Sequence, residues 1–155
     1  MELTSTSIAD GADIALRYAE GNSGGENVTP QLSWSGAPDG TMSFAITIFD
    51  PDAPTGSGWW HWVAADIHAS VTEIGEGAGA PAGAREAEND FGYVGYGGAC
   101  PPPGPAHHYI HTVHALSVES LDAPADASSA VLRMHIMANS LDQSSITGTF
   151  AQPDQ

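Results

Sequence analysis

Apolar residues fall in short clusters of β character rather than along one long periodic face. Residues 42–49, Met-Ser-Phe-Ala-Ile-Thr-Ile-Phe, are aromatic and β-branched with partial alternation. Pro38-Asp39-Gly40 precedes this run and Asp50-Pro51 ends it, so turn residues bound it on both sides. Residues 60–67 alternate with period two, which predicts a strand opened by His61 with Val63, Ala65 and Ile67 on the same face. Residues 108–116 read as a further strand, immediately after Pro101-Pro102-Pro103-Gly104-Pro105. A short strand is expected near Leu3 and a last one over residues 146–150. One helix is predicted, capped by Asp126 and running to Ala138, with Val131, Leu132, His135 and Ala138 at helical spacing.

The rest of residues 1–30 is polar and glycine-rich, and residues 75–105 form the longest stretch without a pattern. No internal repeat is present. Short strands, long turn-rich connections and little helix predict a mainly β fold: an antiparallel β-sandwich of two sheets with one or two short peripheral helices. At 155 residues the chain is expected to form a single domain, 1–155.

Charge changes the picture of partners. Nineteen carboxylates face only Arg17, Arg85 and Arg133, and lysine is absent, giving a formal charge of −16. Charged residues make up 14% against an ordinary value of about 25%, so the imbalance comes from missing bases rather than an acidic tail. Nucleic acid and anionic membrane surfaces are disfavoured as partners, because both are bound through clustered Lys and Arg. Loss of lysine suits a very salty cytoplasm, as in a halophile, and equally an acidic protein of an ordinary bacterium. Cys100 stands alone, so no disulfide framework exists. With no basic segment leading into an apolar run and no 18-residue apolar stretch, the expected location is cytoplasmic, without membrane insertion.

Three clusters offer chemistry: Asp50-Pro51-Asp52-Ala53-Pro54, His61 at the start of its strand, and His107-His108-Tyr109 after the prolines. All lie at strand ends, where side chains converge on the rim of a β domain, so a pocket of Asp50, His61, His107 and Tyr109 is expected. The prolines hold such a pocket open at little entropic cost. Metal binding and a resident cofactor are not expected. On a strand His107 and His111 share one face while His108 and His114 take the other, so these histidines do not gather around one ion. His111 and His114 are expected to be partly buried strand residues bonded to neighbours.

Asp52 is read equally as a turn residue and as a ligand contact. A nucleophile elbow of the hydrolase kind is not expected. Cys100 would be a nucleophile only with His107 as its base, and otherwise fills the pocket wall. Gly95-Tyr96-Gly97-Gly98 precedes prolines rather than a helix and is not a phosphate-cradling loop. The four tryptophans are expected in core or rim packing.

The motifs Asp50-Pro51-Asp52-Ala53-Pro54, Gly58-Trp59-Trp60-His61-Trp62-Val63 and Tyr96-Gly97-Gly98-Ala99-Cys100-Pro101-Pro102-Pro103-Gly104 with His107-His108-Tyr109 follow one another in that order. With Asn27-Val28-Thr29-Pro30 and Leu32-x-Trp34 they span almost the whole chain. In this the sequence resembles the phosphatidylethanolamine-binding protein (PEBP) family, in its compact bacterial and archaeal, Raf-kinase-inhibitor-like branch. The resemblance implies a β-sandwich with a small anion pocket formed by Asp50, Pro51, His61, Gly98, Cys100, Pro102, His107 and Tyr109. His108 stands where the family usually has arginine, which removes a permanent cation.

The implied function is non-enzymatic binding of a small anion or phospho-headgroup, held by imidazole N–H, tyrosine hydroxyl and backbone amides, with regulation of an unidentified protein partner. Two other readings stay open. One is a weak hydrolase using His61 or His107 as general acid–base. The other is an interaction module acting through a homodimer interface with a vestigial pocket.

Overall fold

The computed structural model describes residues 1–153. Its elements run β1 (Glu2–Thr4), β2 (Leu32–Ser35), β3 (Ser43–Asp50), β4 (Trp59–His68), β5 (Glu73–Ile74), β6 (Arg85–Glu86), β7 (His107–Leu116), α1 (Ser129–Asn139) and β8 (Ser140–Phe150). They form two antiparallel sheets, of order β1-β2-β5 and β6-β4-β3-β7-β8. The fold is mainly β, with one α-helix among the described residues.

The larger sheet is covered on both faces. On one face Phe44, Ile46, Ile48, Trp62, Tyr109 and Val113 pack with Leu3, Leu32, Trp34 and Ile74 of the smaller sheet. On the other, Ala45, Val63, Ala65 and Leu116 pack with Leu132 and Ile136 of α1. With both faces covered, seven of the eight β3 positions are buried, and the apolar residues run through it instead of alternating.

Two irregularities in the β3–β4 pairing overturn the simple alternation expected of residues 60–67. Ile48 pairs with Trp62 but Phe49 with Trp60, so His61 is the extra residue of a bulge; a second shift separates the Phe44 and Ile46 pairs. Val63 and Ala65 therefore face α1, whereas Ile67 faces the smaller sheet. His61 turns to that same side, against Tyr109, while Trp60 stacks on Phe49 at a centroid distance of 4.2 Å. A two-residue period cannot anticipate a bulge, because it shifts the phase of everything after it.

Two boundaries also move. Ser128, not Asp126, caps α1, its Oγ accepting from the Val131 N–H at 3.2 Å. Leu132 and Ile136, four apart, bury the helix, while Ala138 faces solvent. β8 then starts at Ser140, six residues before the expected point, and pairs along β7 from His107 to Leu116. Its first half is Asp, Gln and Ser apart from Leu141, which suits a sheet edge and hides the strand from any apolar pattern. No helix among the described residues is long and apolar enough to cross a membrane.

Candidate functional site

Antiparallel pairing brings the end of β3 beside the beginnings of β4 and β7, with Asp50 opposite Trp59 and Phe49 opposite Ile110. Three motifs far apart in sequence thus meet at one end of the larger sheet. There a cleft of about 990 Å³ is lined by Asp50, His61 and His107 on its floor, by Cys100 and prolines 101–103 on one wall, and by Trp59 and Phe91 on another. Its size is that of a pocket for a small organic ligand.

Each cleft histidine is fixed through Nδ1. His107 Nδ1 lies 2.7 Å from Asp50 Oδ2, and Asp50 Oδ1 accepts the Asp52 N–H at 2.8 Å. Asp50 is 3% exposed, so the His107 N–H is the hydrogen-bond partner a buried carboxylate requires. A carboxylate accepts, hence Nδ1 carries the proton and Nε2 is left for other partners. His61 Nδ1 donates to the carbonyls of Gly97 (2.8 Å) and Gly98 (3.1 Å), which again leaves Nε2. Burial pushes the His61 pKa below the ordinary histidine range, opposed by those carbonyls and by the charge of Asp50. At neutral pH His61 is therefore an uncharged imidazole whose Nε2 accepts.

The carbonyls that hold His61 are themselves held. Gly98 N–H donates to Asn27 Oδ1 at 2.7 Å, and Asn27 Nδ2 donates to the Tyr96 carbonyl at 3.1 Å. Gly97 N–H returns to the His61 carbonyl at 2.9 Å. A β-carbon on Gly98 would collide with the carbonyl oxygen of Tyr18 and the backbone of Ala19 and Glu20, so only glycine lets these segments close up.

The structure divides the expected site residues. Asp50, His61, His107, Cys100 and Pro102 line the cleft. Gly98 does not: it lies beneath, orienting His61 through its carbonyl. Tyr109 also belongs to this lower layer, 2% exposed, with its ring 5.2 Å from that of His61 across a void of about 10 Å³. Its hydroxyl has no partner among the described residues, and burial raises its pKa, so it stays a neutral phenol. The alternation of β7 places it on the same face as His107 but one pair deeper. Pro51 is exposed and outside the cleft, where Ala53 and Pro54 contribute instead. Asp52 is a tether: Oδ2 accepts from both the backbone N–H (2.8 Å) and Nδ1 (2.7 Å) of His108, and these hydrogen bonds lower its pKa.

Beyond the cleft, His111 and His114 are fully rather than partly buried, at 2% and 5% exposure. His111 Nδ1 donates to the Tyr109 carbonyl at 2.9 Å, and His114 Nε2 lies 3.0 Å from Thr47 Oγ1. Burial pushes both down to about 4. Among the described residues no three His, Cys, Asp or Glu side chains gather as metal ligands.

Sequence reasoning missed part of the wall. Phe91 sits edge-on to both Trp59 (5.4 Å) and His61 (5.4 Å), yet comes from the patternless 75–105 stretch. Asn22, Gln152 and Pro153 also line the cleft, the last two brought there by the chain leaving β8 and by a 2.8 Å bond from Ser23 Oγ to Gln152 Oε1. Nothing local in the sequence marks them.

Known proteins share this frame. YbhB of Escherichia coli K12 is 42% identical over 158 aligned positions, covering 97% of this chain and 100% of that protein. YbcL of the same organism is also 42% identical, and its crystal structure, described as a new member of the mammalian PEBP family, superposes with a TM-score of 0.92 over 97% of each chain. The Chlamydia trachomatis protein CT736, described as a putative PEBP homolog, gives 0.84 at 26% identity over 98% of this chain and 97% of its own. The family model for phosphatidylethanolamine-binding protein matches residues 4–151, nearly every described element, and the chain belongs to that family.

Proposed function

We propose that the protein is a cytoplasmic, non-enzymatic receptor for a small anion or phospho-headgroup, bound in the cleft of Asp50, His61 and His107. One observation carries the reading: two imidazoles on one cleft floor, each with its Nδ1 proton committed to a protein acceptor and its Nε2 left over. Such a pair grips a tetrahedral oxyanion through protons rather than fixed cations. His107, as an imidazolium bonded to Asp50, donates its Nε2–H to one phosphoryl oxygen. His61, held neutral by burial, accepts the remaining hydroxyl proton of a singly ionised phosphate. The aromatic and proline walls suit an organic substituent on the phosphate. Regulation of a protein partner would then follow occupancy of the cleft.

The sign of the pH dependence follows. As pH rises, a singly ionised phosphate loses its proton, so its second negative charge meets the Asp50 carboxylate and His61 Nε2 loses the hydroxyl it accepts from. Calorimetric titration with phosphate and with phosphoethanolamine at about pH 5.5 and about pH 8 is expected to show at least roughly tenfold tighter binding at the lower pH. Equal affinities would remove the proton-mediated grip. Turnover of an aryl phosphate that vanishes in His61→Ala would replace a receptor with a hydrolase.

A further inference from the structure

On the opposite face of the larger sheet, α1 leaves a groove of about 390 Å³ lined by Thr47, Trp60, His114, Arg133, Met134 and Met137. Three features distinguish it from a packing gap. The first is an unspent cation. Arg17 pairs with Glu76 at 3.2 Å, and Arg85 donates to the carbonyls of Ala123 (3.0 Å) and Pro124. Arg133 instead lies over the Trp60 ring, 4.1 Å from its centroid, with Nε donating to Ser129 Oγ at 3.2 Å. Its terminal N–H groups have no acceptor among the described residues. Asp90, the carboxylate acting on it, is engaged with the Trp60 N–H at 2.7 Å.

The second is His114. It is 5% exposed, and its Nδ1 has no partner among the described residues although Nε2 meets Thr47 Oγ1 at 3.0 Å. With the Thr47 hydroxyl donating to Nε2, the neutral ring presents Nδ1–H as a buried donor without an acceptor, an arrangement proteins normally avoid. The third is the rim: Met134 and Met137 are 62% and 63% exposed and give the groove an adaptable apolar edge.

We propose that this groove is a second ligand site, taking a small amphipathic monocarboxylate whose head meets the Arg133 guanidinium and His114 Nδ1–H and whose apolar tail lies along Ile136, Met134 and Met137. A planar carboxylate matches the guanidinium fork bidentately. A dianion is disfavoured, since one cation and one neutral donor would have to hold it on a chain of formal charge −16. The apolar rim requires a tail that inorganic anions lack. The site is separate from the Asp50 cleft and does not depend on what that cleft binds.

Hexanoate is the probe, titrated into the full chain and followed by NMR at the Trp60 indole and His114 imidazole. Both signals are expected to shift saturably, with hexanol binding about tenfold more weakly or worse for lack of the charge–charge contact. Arg133→Gln is expected to weaken hexanoate about tenfold or more, and Met134→Glu, at an exposed position where folding is not at stake, to weaken it as well. Neither change should alter phosphate binding in the cleft. Absence of shifts at Trp60 and His114, equal binding of hexanol, indifference to both substitutions, or shifts confined to His61 and His107 would each overturn the proposal.

Discussion

His107 and His111 occupy the same face of β7, about 13 Å apart along the strand, and have opposite chemistry. The first meets a buried carboxylate at a cleft; the second meets a backbone carbonyl in the interior and is held down to about 4 by burial. Residue type and periodicity are identical. What differs is whether the acceptor carries charge and whether solvent reaches the ring. His114, on the other face, is likewise buried and neutral, with a threonine hydroxyl at Nε2 and no partner among the described residues at Nδ1. A run of histidines on one strand thus divides into a cleft-facing end and a buried, neutral end.

The comparison is sharpened most by acid. For His111 and His114 the folded pKa of about 4 lies below the ordinary 6.5, so between these values the unfolded chain binds more protons. Their contribution is fully present above about pH 6.5 and is lost as pH falls toward 4, on the order of 3 kcal/mol for each ring. His61 pushes in the same direction. Urea unfolding across this window should show stability rising with pH with a slope near two protons or more, and His111→Leu with His114→Leu should flatten it. An unchanged slope in the double variant would mean that other groups control acid sensitivity.

The next effect separates the two ends directly. His107→Leu leaves Asp50 buried and unpaired and is expected to cost about 3–5 kcal/mol near neutral pH. His111→Leu removes one hydrogen bond from a neutral ring and is expected to cost about 1 kcal/mol. The test is the difference between their denaturant midpoints at equal slope, and equal costs would erase the distinction drawn here.

The smallest effect belongs to His108 and Asp52, which carry the same His–Asp chemistry in the open. Asp52→Asn is expected to cost no more than about 1 kcal/mol, because the exposed pair is screened by water. A larger loss by thermal unfolding would show that the tether across residues 51–58 matters more than its exposure implies.

Much of this was legible in the chain. The strands at 42–49, 60–67 and 108–116 were visible because apolar β-branched runs stood between proline and glycine turns. The opposed faces of His107/His111 and His108/His114 followed from the two-residue period alone. The expected pocket residues rest mainly on resemblance to a family. The bulge at His61 was hidden because bulges depend on pairing with another strand, not on local composition. β5 and β6, two residues each, are too short to carry a pattern. Nearness to His107 in sequence does not give depth, and the pleat carries Tyr109 one layer below the cleft. Phe91, Gln152 and Pro153 reach the wall through tertiary routing that no window of sequence records.

Cys100 gives the cleft a practical property. It is the chain's sole thiol, partly exposed, and it stands on the proline wall facing the histidines. A maleimide or fluorinated tag attached there marks one address only, with no engineering of background cysteines. Lysine is absent as well, so amine-directed dyes have no side-chain target. The molecule therefore carries its own reporter position, at the place where occupancy would be felt.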